Sequence, residues 1–109
     1  MNIVPLDQVG IDVHHHFSSG VYAKEVTIPA GMTLVQHRHK FDHMSVLASG
    51  TAMVSVGGKS AQFVGPAVLN IAAGQIHAVT AVTEVVWLCI HATDEVDPEK
   101  IDHEIVEVA

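Results

Sequence analysis

A single cysteine in 109 residues, Cys89, rules out a disulfide within the chain and agrees with a reducing compartment. Cations are scarce as well. Five lysines and arginines stand against 12 acids, a formal charge of -7. A chain with that balance is not built to bind nucleic acid by neutralising phosphates. Much of the acidity lies between Asp94 and Glu107, where a solvated acidic face that aids solubility is the plain account. No apolar run approaches the roughly 20 residues that cross a bilayer. The opening residues, MNIVPLDQVGID, carry acids and no basic cluster, so no signal peptide and a cytoplasmic location are expected. What the sequence does have is 49% hydrophobic residues with only 16% charged. That predicts one globular domain over residues 1–109, large enough for a single core.

Histidine is plentiful, and its placement is informative. Residues 31–50 read GMTLVQHRHKFDHMSVLASG, with His37, His39 and His43 inside seven residues. His37 and His39 are two apart, so on a strand both imidazoles point the same way. Lys40, Phe41 and Asp42 form a short polar break, and His43 opens an apolar run to Ala48. A hairpin at that break would place His43 on the neighbouring strand, facing the first two. Three neutral imidazoles need one more donor to hold a transition metal, and His77, entered through a glycine turn, is the candidate. Any one of these histidines alone would more often satisfy a core hydrogen bond. Four at this spacing favour a metal, with a closed structural zinc as the competing version. His14, His15 and His16 carry a weaker signal. Consecutive strand residues alternate faces and cannot comfortably share one ion, so a surface turn leading into Ser18-Ser19-Gly20 is expected.

The chain otherwise punctuates itself regularly. Residues 1–13 suit one or two edge strands. Val21 to Ile28 is β-branched and stops at Pro29-Ala30-Gly31. Strands are expected at Met32 to His39, His43 to Ala48, Thr51 to Val56, Ser60 to Val64, Ala67 to Ile71, Ile76 to Val82 and Val85 to Ala92. Gly57-Gly58 marks a two-residue hairpin, and Gly65-Pro66 and Ala72-Ala73-Gly74-Gln75 mark turns. Turn signals every eight to twelve residues predict an all-β antiparallel sandwich or barrel. After Thr93 two readings stand. Asp94, Glu95, Asp97 and Pro98 open a short helix with Ile101, Ile105 and Val108 on its apolar side, or HEIVEV is an extended edge strand.

These residues reach a known pattern. Gly31, five residues, His37-Arg38-His39, three residues, His43, six residues and Gly50 resemble the first cupin motif. Gly65 with Ala72-Ala73-Gly74-Gln75-Ile76-His77 resembles the second, with Ala72 where proline is usual. The resemblance implies a single cupin domain, an antiparallel jelly-roll β-barrel with core motifs at 31–50 and 65–82. It also implies metal ligands at His37, His39, His43 and His77 for one divalent ion (manganese, iron, nickel, copper or zinc). A homodimer, the common cupin arrangement, is expected in order to bury Trp87, the many valines and the apolar edge strands. Most metal-binding cupins carry glutamate where this chain has His43, so the resemblance is to a four-histidine subgroup. That substitution removes the one anionic ligand and leaves the ion its full charge, favouring anionic or enolate-like oxygen ligands.

Alternation names the residues around such a site. Ser45 and Leu47 share the face of His43, and Val79 and Ala81 that of His77. Trp87, Cys89 and His91 lie on one side of the last strand. If that side is inward, His91 is a candidate catalytic acid–base group or a support for a ligand, against the plainer role of a buried structural histidine. Cys89 reads as a small core residue. Tyr22 and Lys24 share a face; an inward Lys24 would meet a substrate carboxylate, and an outward, solvated one is the commoner outcome. Arg38 and Asp42 are expected to point away from the ion and to anchor strands or a partner. The functional expectation is a metal-dependent enzyme, a dioxygenase or a lyase or isomerase acting through an enolate, on a small oxygen-rich substrate. The alternative is a non-catalytic module that binds or senses a metal or small ligand.

Overall fold

The computed structural model describes residues 11–36 and 41–101. Within them nine strands form: β1 (Asp12–Ser18), β2 (Val21–Ile28), β3 (Thr33–Gln36), β4 (His43–Ser49), β5 (Thr51–Val56), β6 (Lys59–Val64), β7 (Ala67–Ile71), β8 (His77–Ala81) and β9 (Val85–Ala92). They make two antiparallel sheets, ordered β1-β2-β9-β4-β7 and β3-β8-β5-β6. Apart from the β1–β2 and β5–β6 hairpins, every connection crosses from one sheet to the other, which is the winding of a jelly roll. Among the described residues no helix is long and apolar enough to cross a membrane.

Period-two alternation decides which side of each strand is dry. On β9 buried and half-buried residues alternate without a break from Val85 to His91. Its inward members Val85, Trp87 and Cys89 meet Val26 and Ile28 of β2 and Leu47 of β4, with Ala52, Val54, Val79 and Ala81 of the second sheet closing the core. Sheets packed face to face interdigitate in this way. Trp87 is the largest of the fully buried side chains and fills the middle of the layer.

Turn chemistry fixes the register. Gly57 and Gly58 both have positive φ, the two-residue hairpin that joins Val56 to Lys59. Gly50 has φ +93°, and a side chain there would run into the Glu84 carbonyl. That backbone approach seats the β4–β5 crossing beside the β8–β9 crossing, next to the register shift between Leu47 and Ser49.

Two expectations are corrected. His14 to His16 are not in a surface turn: they lie within β1, paired to β2, and the turn falls at Ser19 and Gly20. Histidine tolerates an edge strand with both sides largely exposed, and His16 Nε2 pairs with Glu25 Oε1 at 3.0 Å on the outer side. Nor is the break before His43 a hairpin. β3 pairs with β8, whereas β4 pairs with β7 and β9, so the chain changes sheets there. Of the expected strand Met32 to His39, Thr33–Gln36 is described; His37, Arg38 and His39 lie outside the described residues. After β9, Asp97 starts a helical turn: its carboxylate accepts from the Glu99 N–H at 2.9 Å, and its carbonyl from Ile101 N at 3.1 Å. The turn sets Ile101 on Tyr22, both fully buried. Ile105 and Val108 lie outside the described residues.

Gly31 also has φ +85°, yet its side-chain position opens on empty space. Gly31→Ala is therefore expected to cost only the left-handed backbone penalty, about 1–2 kcal/mol. Gly50→Ala adds a collision with backbone and should cost at least about 3 kcal/mol, within the tail reserved for strained backbone sites. Urea denaturation of the two variants checks the order.

Candidate metal centre

The inner face of the five-stranded sheet is a grid set by register. Tyr22 of β2 is opposite His91 of β9, and His43 of β4 lies one step beyond the Met44–Ile90 pair, beside His91. In the next row Lys24 is opposite Cys89, which is opposite Ser45. Directly paired residues of an antiparallel ladder share a face, so both rows look inward. His77 comes from the other sheet, at the start of β8. It meets the grid from across the gap, its ring centroid 5.6 Å from that of His43.

The three described imidazoles form one compact group. His91 stacks on His43 with centroids 4.5 Å apart and planes 24° apart. All three are buried, His77 with 1% and the other two with 4% of their surface exposed. Burial disfavours their charged forms. It lowers His43 to about 4 against a smaller opposing pull from Asp42. It lowers His77 to about 4, with help from His43. His91 falls to about 3, by burial first and then by the charges of His43, Lys24 and His77. At neutral pH these rings therefore keep a lone pair, which metal ligation requires.

One ring nitrogen each of His43 and His77 and Cys89 Sγ all lie within 4.8 Å of one another. A nitrogen at about 2.1 Å and a sulfur at about 2.3 Å on one tetrahedral zinc are roughly 3.6 Å apart. An ion would therefore have to draw these donors closer together than they stand at the 4.8 Å limit. The donor set fits a transition metal in kind, being imidazole and thiol without hard oxygen. His37 and His39, the other two ligands the motif implies, lie outside the described residues. The loops that carry the motifs are tied together: Asp42 Oδ1 accepts a 2.7 Å hydrogen bond from Ala73 N–H. Asp42 thus anchors strands, joining the segment before His43 to the turn before His77.

The side of β9 that bears His91 is inward, and so is Lys24, half-buried opposite Cys89. Tyr22, wholly buried, links the site to the edge strand. His15 Nδ1 lies 2.7 Å from its hydroxyl, and Phe17 packs on its ring. Sequence reasoning missed how close Cys89 comes to the imidazoles. It is the core residue expected, in the main cluster, but its sulfur also faces the site. The signal was there in its i+2 relation to His91.

This architecture has known counterparts. A cupin superfamily protein from Desulfitobacterium hafniense superposes with TM-score 0.68 at 18% identity, over 85% of this chain and 92% of its own. The fold is that of the cupins. KdgF from a Halomonas species matches with TM-score 0.69 at 12% identity, over 80% of this chain and 83% of that one. A predicted oxalate decarboxylase from Thermotoga maritima matches with TM-score 0.66 at 13% identity, over 76% and 80%. No family model and no curated protein matches the sequence. At such identities the likeness is one of cupin fold.

The depressed imidazoles have a consequence for stability. Each binds fewer protons folded than unfolded, so its contribution is intact above the unfolded value of 6.5 and is lost as pH falls towards about 4. At pH 5, above the ordinary carboxylate range, the loss is on the order of 2 kcal/mol for one such histidine. Thermal unfolding of the metal-free protein should show a melting temperature level from pH 8 to 7 and falling between 6.5 and 5. His91→Gln should flatten that fall; a slope identical to the wild type would contradict the assignment.

Proposed function

We propose that this protein is a metal-binding cupin of the four-histidine kind, holding one divalent ion (manganese, iron, nickel, copper or zinc) through His37, His39, His43 and His77. The observation that carries the reading is the meeting of His43 from one sheet with His77 from the other, their donor atoms within 4.8 Å of each other and of Cys89. Two sheets bring ligand-type side chains to one buried point, and the chemistry of the donors suits an ion there. His37 and His39 enter from the sequence motif.

The favoured activity is that of a metal-dependent enzyme, a dioxygenase or a lyase or isomerase acting through an enolate, on a small oxygen-rich substrate. A bound ion would supply Lewis acidity to substrate oxygens and stabilise negative charge that develops on them. Lys24, inward and half-buried, attracts an anionic substrate to the same side. His91 packs flat on His43 and fixes the plane of that ring. With its protonated form pushed down to about 3 it is a weak base at neutral pH. A substrate anion beside it would reverse part of that shift and let it take up a proton. The predicted oxalate decarboxylase among the structural neighbours supports a small oxygen-rich anion as the substrate class.

A non-catalytic module that binds or senses a metal or small ligand is the second reading. It is favoured by one observation: His43, His77 and His91 are all withdrawn from water, which disfavours the charged form that proton transfer would require of them. The reading also includes a homodimer in the cytoplasm. Met44 and Val68 stand well exposed on the outer face of the five-stranded sheet, an apolar surface of the kind a second copy would cover.

Metal analysis after loading with a single divalent ion tests the proposal. The wild type should hold about one ion per chain, and His43→Ala and His77→Ala should each lose most of it. His14→Ala, on the exposed side of β1, should keep it. Equal metal in wild type and His77→Ala would sink the centre. With manganese bound, enhanced relaxation of solvent water indicates an open coordination position and favours the enzyme; none favours the module.

A further inference from the structure

We infer that Cys89 is itself a ligand of the ion, its sulfur supplying as thiolate the anionic donor that a four-imidazole set lacks. The inference rests on the metal-centre reading and adds a residue to it. Placement is the first reason. Cys89 Sγ shares the 4.8 Å donor group with His43 and His77, and register fixes it there, since Trp87, Cys89 and His91 all point inward from one strand.

The sulfur's surroundings are the second reason. Cys89 is the middle of the row Lys24, Cys89, Ser45. Ser45 is fully buried, and its hydroxyl donates to Cys89 Sγ at 3.7 Å. An O–H aimed at sulfur stabilises the anion more than the neutral thiol. Lys24, the strand partner on the other side, faces inward from the same row. A nearby cation also favours a thiolate. A cysteine that merely filled the core would need neither; valine or alanine would serve, and a buried serine beside it would be a cost.

Charge balance is the third reason. A divalent ion held only by neutral imidazoles keeps two full charges in a space from which His43, His77 and Ser45 have been withdrawn from water. Uncompensated buried charge is expensive, and one thiolate halves it. The step is balanced without an oxidant or reductant: the S–H bond breaks, its electron pair goes to the metal–sulfur bond, and the proton leaves to solvent. A soft donor also moves the preference towards zinc and copper and away from manganese.

X-ray absorption at the zinc edge on the full-length, zinc-loaded protein decides the matter. The wild type should show a sulfur shell at about 2.3 Å beside nitrogen at about 2.0–2.1 Å. Cys89→Ser should bind zinc without the sulfur shell, at least about tenfold more weakly in chelator competition, the low end of the loss seen even for outer partners of a metal. Zinc bound by the wild type in a shell of nitrogen and oxygen alone overturns the inference and leaves the metal centre standing. Failure of the wild type to bind zinc or any other divalent ion overturns both. The wild-type spectrum is decisive even if the serine variant does not fold.

Discussion

The inward register of three adjacent strands, β2, β9 and β4, is the constraint on which the rest of the molecule depends. Because a strand's side chains alternate with period two, a slip of one residue would turn Trp87, Cys89 and His91 to solvent and bring Val86, Leu88 and Ile90 inside. The register is held from below by the hydrophobic layer of Val26, Trp87 and Leu47. Area removed from water there stabilises one register over its neighbours. The polar rows above it, with Lys24, Cys89 and Ser45 and then Tyr22, His91 and His43, inherit their positions from that layer.

Burial of the imidazoles is then a matter of compensation. Three rings close to one another inside a protein would repel if charged, and desolvation keeps them neutral. The same environment that costs stability towards acid preserves the lone pairs that metal ligation would need. Fold and site thus oppose each other at low pH and reinforce each other above the ordinary histidine range.

Most of the fold was legible along the chain. Val21–Ile28 and Thr51–Val56 are strands expected from β-branched runs bounded by glycine and proline, and Ala67–Ile71 and Val85–Ala92 are strands expected from their apolar runs. Alternation put Ser45 and Leu47 on the face of His43, Val79 and Ala81 on that of His77, and Trp87 and Cys89 on that of His91; packing decided that these faces are the inward ones. Two readings failed for physical reasons. An edge strand solvated on both sides has no burial pattern, so His14 to His16 looked like a turn. A sheet crossing and a hairpin use similar polar residues, so the break before His43 gave no clue to which sheet β4 would join.

The sequence by itself determined the strands, the turns and the residue types a metal would need, because these depend on local sterics and on a period of two. His43 and His77 were identifiable as candidate donors without any coordinates. Only the tertiary structure decided that His43 and His77 approach from opposite sheets, that His91 stacks on His43, and that Cys89 stands among them with Ser45 at its sulfur. Those contacts join strands far apart in the chain. Their distances come from how two twisted sheets pack on Trp87 and its neighbours, a property that no local pattern of residues encodes.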